Sequence, residues 1–127
     1  MSDVPVQTLI FGYGYLGRRV AQLAIRDGHK VWATTRRAER QEELSSEGTH
    51  PIVADWTDRR TLVNLPTVRQ IVVCVSYDRQ SSHNRFESQV VGFRNLLHAI
   101  GPKTKICYVS TTGVYHQRNG VWVDEAS

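Results

Sequence analysis

The 127-residue sequence has only two cysteines and no long apolar run. Two cysteines are too few for a small secreted domain held together by disulfides. The longest apolar stretch, residues 71–75, is far short of a membrane span. The first residues lack the basic start and the cleavage site of a signal peptide. These absences argue against disulfide scaffolds and membrane proteins and favour a cytoplasmic location.

Lysine is also scarce, since Lys30, Lys103 and Lys105 are the only lysines among 16 basic residues. The net charge of +4 is therefore carried mostly by arginine, which suits bidentate contacts with phosphate. The basic residues are scattered and form no stripe with aromatic residues between them, which argues against nucleic acid as a partner. The five histidines show no metal-ligand spacing, so no metal site is predicted.

The composition is that of one soluble globular domain covering residues 1–127, with 40% hydrophobic and 22% charged residues. Cys74 and Cys107 each lie inside an apolar run. We expect both to be reduced thiols buried in the core.

Short apolar runs alternate with helical patterns along the chain. Buried strands are predicted at residues 6–11, 30–35, 51–54, 70–76 and 105–110. Helical segments are predicted around Val20, Leu23 and Ala24, at residues 38–44, after an N-cap at Asp58, and along Phe86, Val90, Phe93 and Leu97. This alternation predicts a Rossmann-type α/β fold, a doubly wound parallel sheet with strand order 3-2-1-4-5. Asn119 and Gly120 then predict a β-hairpin turn.

Three glycines follow the first predicted strand with the spacing G-x-G-x-x-G. In this context, between a strand and a helix, the spacing indicates a dinucleotide-binding turn. Gly12 would allow the tight turn, Gly14 would leave room for a pyrophosphate, and Gly17 would let helix and strand pack closely. Tyr15 and Leu16 lie within the same predicted phosphate-binding turn. The alternative is a strand-to-helix turn without a ligand.

The end of the second strand reads Thr34, Thr35, Arg36, Arg37. NAD sites place an acid here to hold the ribose 2′-hydroxyl, whereas a 2′-phosphate needs cations and hydroxyl groups. Thr35, Arg36 and Arg37 therefore favour NADP over NAD. The alternative is that both arginines are only solvated residues at the start of a helix. Arg18 and Arg19, in the first turn of the first helix, oppose its dipole and would suit a nearby anion or plain solvent.

Together these stretches resemble the extended short-chain dehydrogenase/reductases, the NAD(P)-dependent epimerase/dehydratase family, and especially its atypical bacterial members. The resemblance covers essentially the whole chain. Matching stretches are "FGYGYLGRRVAQLAIRDGHKV", "VADWTDRRTL", "QVVGFRNLLHAI" and "VSTTGVY".

The resemblance implies roles for individual residues. Asp55, with Trp56 beside it, would contact the adenine, and Val75 and Ser76 would lie near the nicotinamide ribose. Thr111, four residues before the tyrosine of "VY", would be the catalytic hydroxyl that hydrogen-bonds the substrate oxygen. A slip of one residue would move that role to Ser110 or Thr112.

The chain also departs from the family's pattern. Gln89 stands where the family usually has asparagine, which puts that residue's structural role in doubt. The family's tyrosine and lysine pair, its sixth strand and its substrate-binding part are missing from the 127 residues. The chain therefore resembles the N-terminal nucleotide-binding part of a longer reductase or epimerase, truncated before the sixth strand.

Three functions remain open on the sequence. The first is an NADP-binding domain of an oxidoreductase or nucleotide-sugar epimerase that acts on small carbonyl or sugar substrates. These 127 residues alone would be inactive. A homo-oligomer is compatible with this function. The second is a non-catalytic dinucleotide-binding or redox-sensing module, against which the active-site motif "STTGVY" argues. The third is a basic interaction module without a cofactor.

Overall fold

The computed structural model describes residues 5–75, 84 and 86–109. Five strands form one sheet: β1 (Gln7–Phe11), β2 (Lys30–Thr35), β3 (His50–Val53), β4 (Gln70–Val73) and β5 (Lys105–Tyr108). All neighbouring strands are parallel, and their order is β3-β2-β1-β4-β5. The predicted fold class and strand order are confirmed.

Helical segments connect the strands. They are α1 (Tyr15–Arg26), a 3-10 turn at Ala38–Arg40 continuing into α2 (Gln41–Ser46), a 3-10 turn at Arg59–Leu62, and a π-helical turn at Phe86–Val91 continuing into α3 (Gly92–Ala99). The predicted cap at Asp58 is confirmed, because its carboxylate accepts the N–H of Arg60 at 3.1 Å.

The sheet has a hydrophobic cluster on each face, so β1 is buried from both sides. Leu9 and Phe11 enter the cluster that contains Trp56 and Leu96, whereas Ile10 enters the other cluster with Ala21. Burial on both faces explains why Leu9, Ile10 and Phe11 are apolar in succession, without alternating polar residues. Its carboxyl end is thereby held rigidly beside that of β4, where Phe11 pairs with Val73.

The apolar periodicity locates the last helical segment but only part of its buried face, since Phe93 packs against the core. Phe86, Val90 and Leu97 are 62%, 52% and 43% exposed. Gly92, Asn95 and Leu96 are buried instead. The π-helical turn shifts the angular phase of the residues before Gly92.

The prediction that both cysteines are buried is wrong. Both are free, but Cys74 is half-buried and Cys107 is exposed. On β5 the neighbouring Ile106 packs against the cluster that contains Leu96, so strand alternation places Cys107 on the opposite face. Burial is the main cause of the raised pKa of the Cys74 thiol, and the nearby Cys107 is the second cause. Cys74 therefore ionises to the thiolate less readily than an ordinary cysteine.

Candidate functional site

A cavity of about 450 Å³ opens at the carboxyl ends of β1, β2 and β4. This is where the chain crosses from one half of the sheet to the other, and open α/β sheets bind ligands at this point. The cavity is lined by Phe11, Gly12, Tyr13, Gly14, Thr34, Thr35, Arg36, Arg37, Arg40, Ala54, Asp55, Trp56, Thr57, Cys74, Val75 and Ser88.

The three glycines of the turn differ in their surroundings. Gly12 has a φ of +104°, and a Cβ there would lie 3.0 Å from the main chain of Cys74. A Cβ on Gly17 would collide with the carbonyl of Gly12. A Cβ on Gly14 would meet no protein atom within 4 Å. Gly12 and Gly17 are thus required by the fold, whereas at Gly14 the space is left open beside the cavity.

Helix α1 begins at this turn without a capping side chain. Its N-cap is Gly14, so the amides of the first helical turn have no side-chain acceptor. Tyr15 and Leu16 lie in this turn and are 78% and 43% exposed. Neither is among the residues that line the cavity.

The arginines of the first turn of α1 have protein partners. Arg18 donates through Nε to Glu47 at 2.9 Å, and Arg19 lies 4.7 Å from the ring centre of Tyr15. Neither arginine lines the cavity. These contacts offset part of the unfavourable interaction of the two arginines with the helix dipole.

The end of β2 supplies the polar wall of the cavity. Thr35 is buried, and its hydroxyl oxygen accepts the N–H of Arg37 at 3.1 Å, which shapes the turn that carries Arg36 and Arg37. Both arginines are exposed and line the cavity, as does Arg40 one helical turn later. The sequence analysis did not identify Arg40, because its approach to the cavity depends on a contact with Tyr13, which is distant in sequence.

Asp55 is the one carboxylate among the described residues that line the cavity. Its Oδ1 accepts the N–H and the hydroxyl of Thr57 at 3.0 and 2.7 Å. These bonds fix the side chain, and Thr61 also binds the N–H of Asp55 at 2.9 Å. Three arginines and a single, well-anchored acid are thus among the described residues that line the cavity.

Trp56 forms part of the cavity wall and is 2% exposed. Its ring stacks on Phe11, and its carbonyl accepts the side-chain N–H of Asn95 at 2.8 Å. A Cβ on Gly92 would collide with its indole, so the close approach of α3 depends on that glycine. Trp56 is thus held firmly beside Asp55.

The π-helical turn contributes Ser88 to the cavity, a residue that sequence reasoning missed. Next to it, Gln89 accepts the hydroxyl of Tyr108 at 2.9 Å, so this glutamine ties the helix to β5. π-Helical turns occur frequently at functional sites, but nothing in the local sequence signals this one.

Most of the predicted site residues meet at the cavity: Gly12, Gly14, Thr35, Arg36, Arg37, Asp55, Trp56 and Val75. Gly17 is buried beneath the turn. Ser76, Thr111, its alternatives Ser110 and Thr112, and the hairpin predicted at Asn119 and Gly120 lie outside the described residues.

The described part of the chain offers neither a membrane span nor a metal site. No helix there is long and apolar enough to cross a membrane. No group of three or more His, Cys, Asp or Glu side chains there could hold a metal ion.

A sequence model of the NAD dependent epimerase/dehydratase family matches residues 8–126. A comparison of the sequence with curated proteins found no match.

Solved structures share the fold at low sequence identity. The UDP-N-acetylglucosamine 4-epimerase from Bacillus cereus is 22% identical with a TM-score of 0.66, over 96% of this chain and 41% of that protein. The Bordetella bronchiseptica enzyme WbmH in complex with NAD+ is 20% identical with a TM-score of 0.60, over 74% and 34%. CAD from Helicobacter pylori complexed with NADP(H) is 15% identical with a TM-score of 0.58, over 84% and 26%. The chain thus spans less than half the length of each of these proteins.

Proposed function

Because the chain belongs to the NAD dependent epimerase/dehydratase family, we propose that its cavity binds NADP(H) in preference to NAD(H). The observation that carries this proposal is the pair of exposed arginines at the end of β2, Arg36 and Arg37, in a cavity where Asp55 is the single acid among the described lining residues. A 2′-phosphate bears about two negative charges and is bound well by guanidinium groups. A 2′-hydroxyl would find no carboxylate at the end of β2.

The proposed reaction is hydride transfer between the nicotinamide and a small carbonyl compound or nucleotide sugar, by an oxidoreductase or epimerase of which this chain is the nucleotide-binding part. Glycine turn amides would hold the pyrophosphate and Asp55 the adenine. Val75 and Ser76 would face the nicotinamide ribose. Thr111 would hydrogen-bond the reacting oxygen of the substrate. The two free thiols suit a reducing compartment such as the cytoplasm.

Cofactor preference tests this proposal directly. We expect NADP+ to bind about ten-fold more tightly than NAD+, a difference of about 1.4 kcal/mol. Arg36→Asp should narrow or reverse the preference, because it removes a cation and adds a carboxylate that can accept the 2′-hydroxyl. The measurement is equilibrium titration of the purified chain with each dinucleotide.

Arg59→Asp is the matched control, since Arg59 is exposed and lies outside the cavity. It makes the same charge change and should leave the ratio of the two dissociation constants unaltered. Equal dissociation constants for NAD+ and NADP+ in the unmutated chain would contradict the proposal. Failure to bind either dinucleotide would favour the third function, a basic interaction module.

Self-association is a further expectation for this chain. β5 is the outermost described strand beyond β4, and Lys105, Cys107 and Tyr108 on it are exposed. An open strand edge with apolar neighbours invites pairing with another chain, and a lysine at such an edge discourages it.

We expect concentration-dependent dimers in sedimentation velocity, and we expect Cys107→Lys to weaken them. Val53→Lys, at the exposed end of the opposite edge strand β3, is the control and should leave the dimers intact. Sedimentation as a monomer at high concentration would count against this expectation.

A further inference from the structure

The first half of the glycine turn is held by one neighbouring segment, residues 34–47. The N–H of Gly12 donates to the Thr34 hydroxyl at 2.9 Å, and the N–H of Tyr13 donates to the Thr34 carbonyl at 3.1 Å. The carbonyl and the phenol of Tyr13 are bound by Arg40 and Glu47. The segment that carries Arg36 and Arg37 therefore also sets the shape of the turn.

Arg40 binds the main chain of the glycine turn at the residue before Gly14. Its Nη1 donates to the carbonyl of Tyr13 at 2.9 Å, and its Nε donates to Glu43 at 3.0 Å. The side chain of Arg40 is only 32% exposed. Two anchors hold this guanidinium at the mouth of the cavity, so it is poorly placed to swing freely toward a ligand.

Tyr13 is also anchored at its other end. Its ring is 3% exposed, and its hydroxyl donates to Oε1 of Glu47, which also accepts Nε of Arg18 at 2.9 Å. Burial, together with the Glu47 carboxylate, raises the pKa of Tyr13 to about 12. The phenol therefore stays protonated near neutral pH and keeps donating to Glu47. Because burial and this bond hold the ring in place, the ring cannot readily follow a shift of the Tyr13 main chain.

The bond from Arg40 fixes the orientation of one peptide plane. The carbonyl of Tyr13 and the N–H of Gly14 belong to the same planar trans peptide and point in opposite directions. Holding the carbonyl toward Arg40 therefore directs the Gly14 N–H to the opposite side, ahead of the uncapped amides of α1.

We propose that Arg40 is a positioning residue that holds the glycine turn in the shape required for the dinucleotide's pyrophosphate. This inference rests on the proposed dinucleotide binding. It assigns Arg40 a different role from Arg36 and Arg37, which would contact the 2′-phosphate. Loss of Arg40 therefore weakens NAD+ and NADP+ equally, because both cofactors carry the same pyrophosphate.

The test compares Arg40→Gln, Arg40→Lys and Glu42→Gln in titrations of the purified chain with NADP+ and with NAD+. We expect Arg40→Gln to raise both dissociation constants about ten-fold, the order expected for loss of a charge-assisted hydrogen bond, with their ratio unchanged. Lysine keeps one charged donor within reach of the Tyr13 carbonyl, so Arg40→Lys should restore part of the affinity for both. Glu42→Gln removes an exposed carboxylate of the same helix that lies outside the cavity lining, and it should change either constant by less than about two-fold.

Every other result would contradict the inference, and each would point to a different explanation. A loss confined to NADP+ would show that Arg40 contacts the 2′-phosphate itself. Unchanged binding by Arg40→Gln would show that the turn does not need it. Thermal melting of each variant shows whether it is folded, and if Arg40→Gln does not fold, the Arg40→Lys variant must still show equal losses for both cofactors. Absence of binding in the unmutated chain would instead refute the proposed function as well.

Discussion

Gly14→Val should leave the chain folded and lower its affinity for NAD+ and NADP+ about a hundred-fold. Gly14 has a φ of −96°, outside the left-handed region that favours glycine, and its added Cβ would meet no protein atom within 4 Å. The loss of glycine at the N-cap costs less than about 1 kcal/mol. The valine side chain would instead occupy the space through which a pyrophosphate approaches the turn. Titration and chemical denaturation of the same sample measure both effects.

Gly17→Ala is the matched substitution with the opposite result. Its Cβ would collide with the carbonyl of Gly12, so α1 would have to move away from β1. Forcing a methyl group into a packed contact costs about 1–3 kcal/mol or more, a large part of the stability of a domain this size. We expect a clearly lower denaturation midpoint or an unfolded protein.

Together, Gly14→Val and Gly17→Ala distinguish a glycine needed for binding, Gly14, from one needed for folding, Gly17. If Gly14→Val retained full affinity for both dinucleotides, the cavity beside Gly14 would not be the pyrophosphate site. If Gly17→Ala were as stable as the unmutated chain, the close packing of α1 on β1 would not be essential.

Features that depend on neighbouring residues in the sequence could be predicted. The glycine turn between β1 and α1 is one of them. The apolar run of β1, the spacing of Gly12, Gly14 and Gly17, and the residues ending β2 are all local, and parallel topology brings strand ends together. The strand order followed from the alternation of strands and helices. Strand ends differ from the predicted ends by up to two described residues, since pairing rather than composition ends a strand.

Features set by distant contacts could not be predicted. Arg40 lies 27 residues from Tyr13 in sequence, so its bond to the turn is visible only after folding. The exposure of Cys107 depends on which elements cover the face of β5 and not on the apolar residues beside it. Ser88 lines the cavity because of a π-helical turn, for which the sequence carries no recognised signal.

The purified 127-residue chain should bind NADPH without oxidising it. Reduction of a carbonyl by hydride requires a proton for the developing alkoxide. The family that the sequence resembles supplies it from a tyrosine whose pKa is lowered by a lysine four residues later. The residues four places after the five tyrosines of this chain are Gly17, Arg19, Ser81, Thr112 and Asn119, and none is lysine.

The described tyrosines are poor substitutes for that acid. Burial raises the pKa of Tyr108, and its hydroxyl donates to Gln89. Tyr13 has a pKa of about 12, raised chiefly by burial, and donates to Glu47. A phenol with a raised pKa is a weaker acid than free tyrosine at about 10, so both transfer protons slowly near neutral pH. Tyr15 lies at the start of α1 and is outside the lining of the cavity.

The experiment follows NADPH absorbance with small carbonyl compounds and nucleotide sugars, after titration has shown that NADPH binds. We expect no oxidation above the rate in buffer, because an aliphatic hydroxyl such as that of Thr111 can orient a carbonyl but is a weak proton source. A threonine hydroxyl without a paired acid leaves the alkoxide unprotonated, and the substrate would also lack residues to orient it. Thr111→Ala is the control and should be indistinguishable from the unmutated chain. Steady oxidation by the unmutated chain, abolished in Thr111→Ala, would place the complete proton-transfer machinery within these 127 residues.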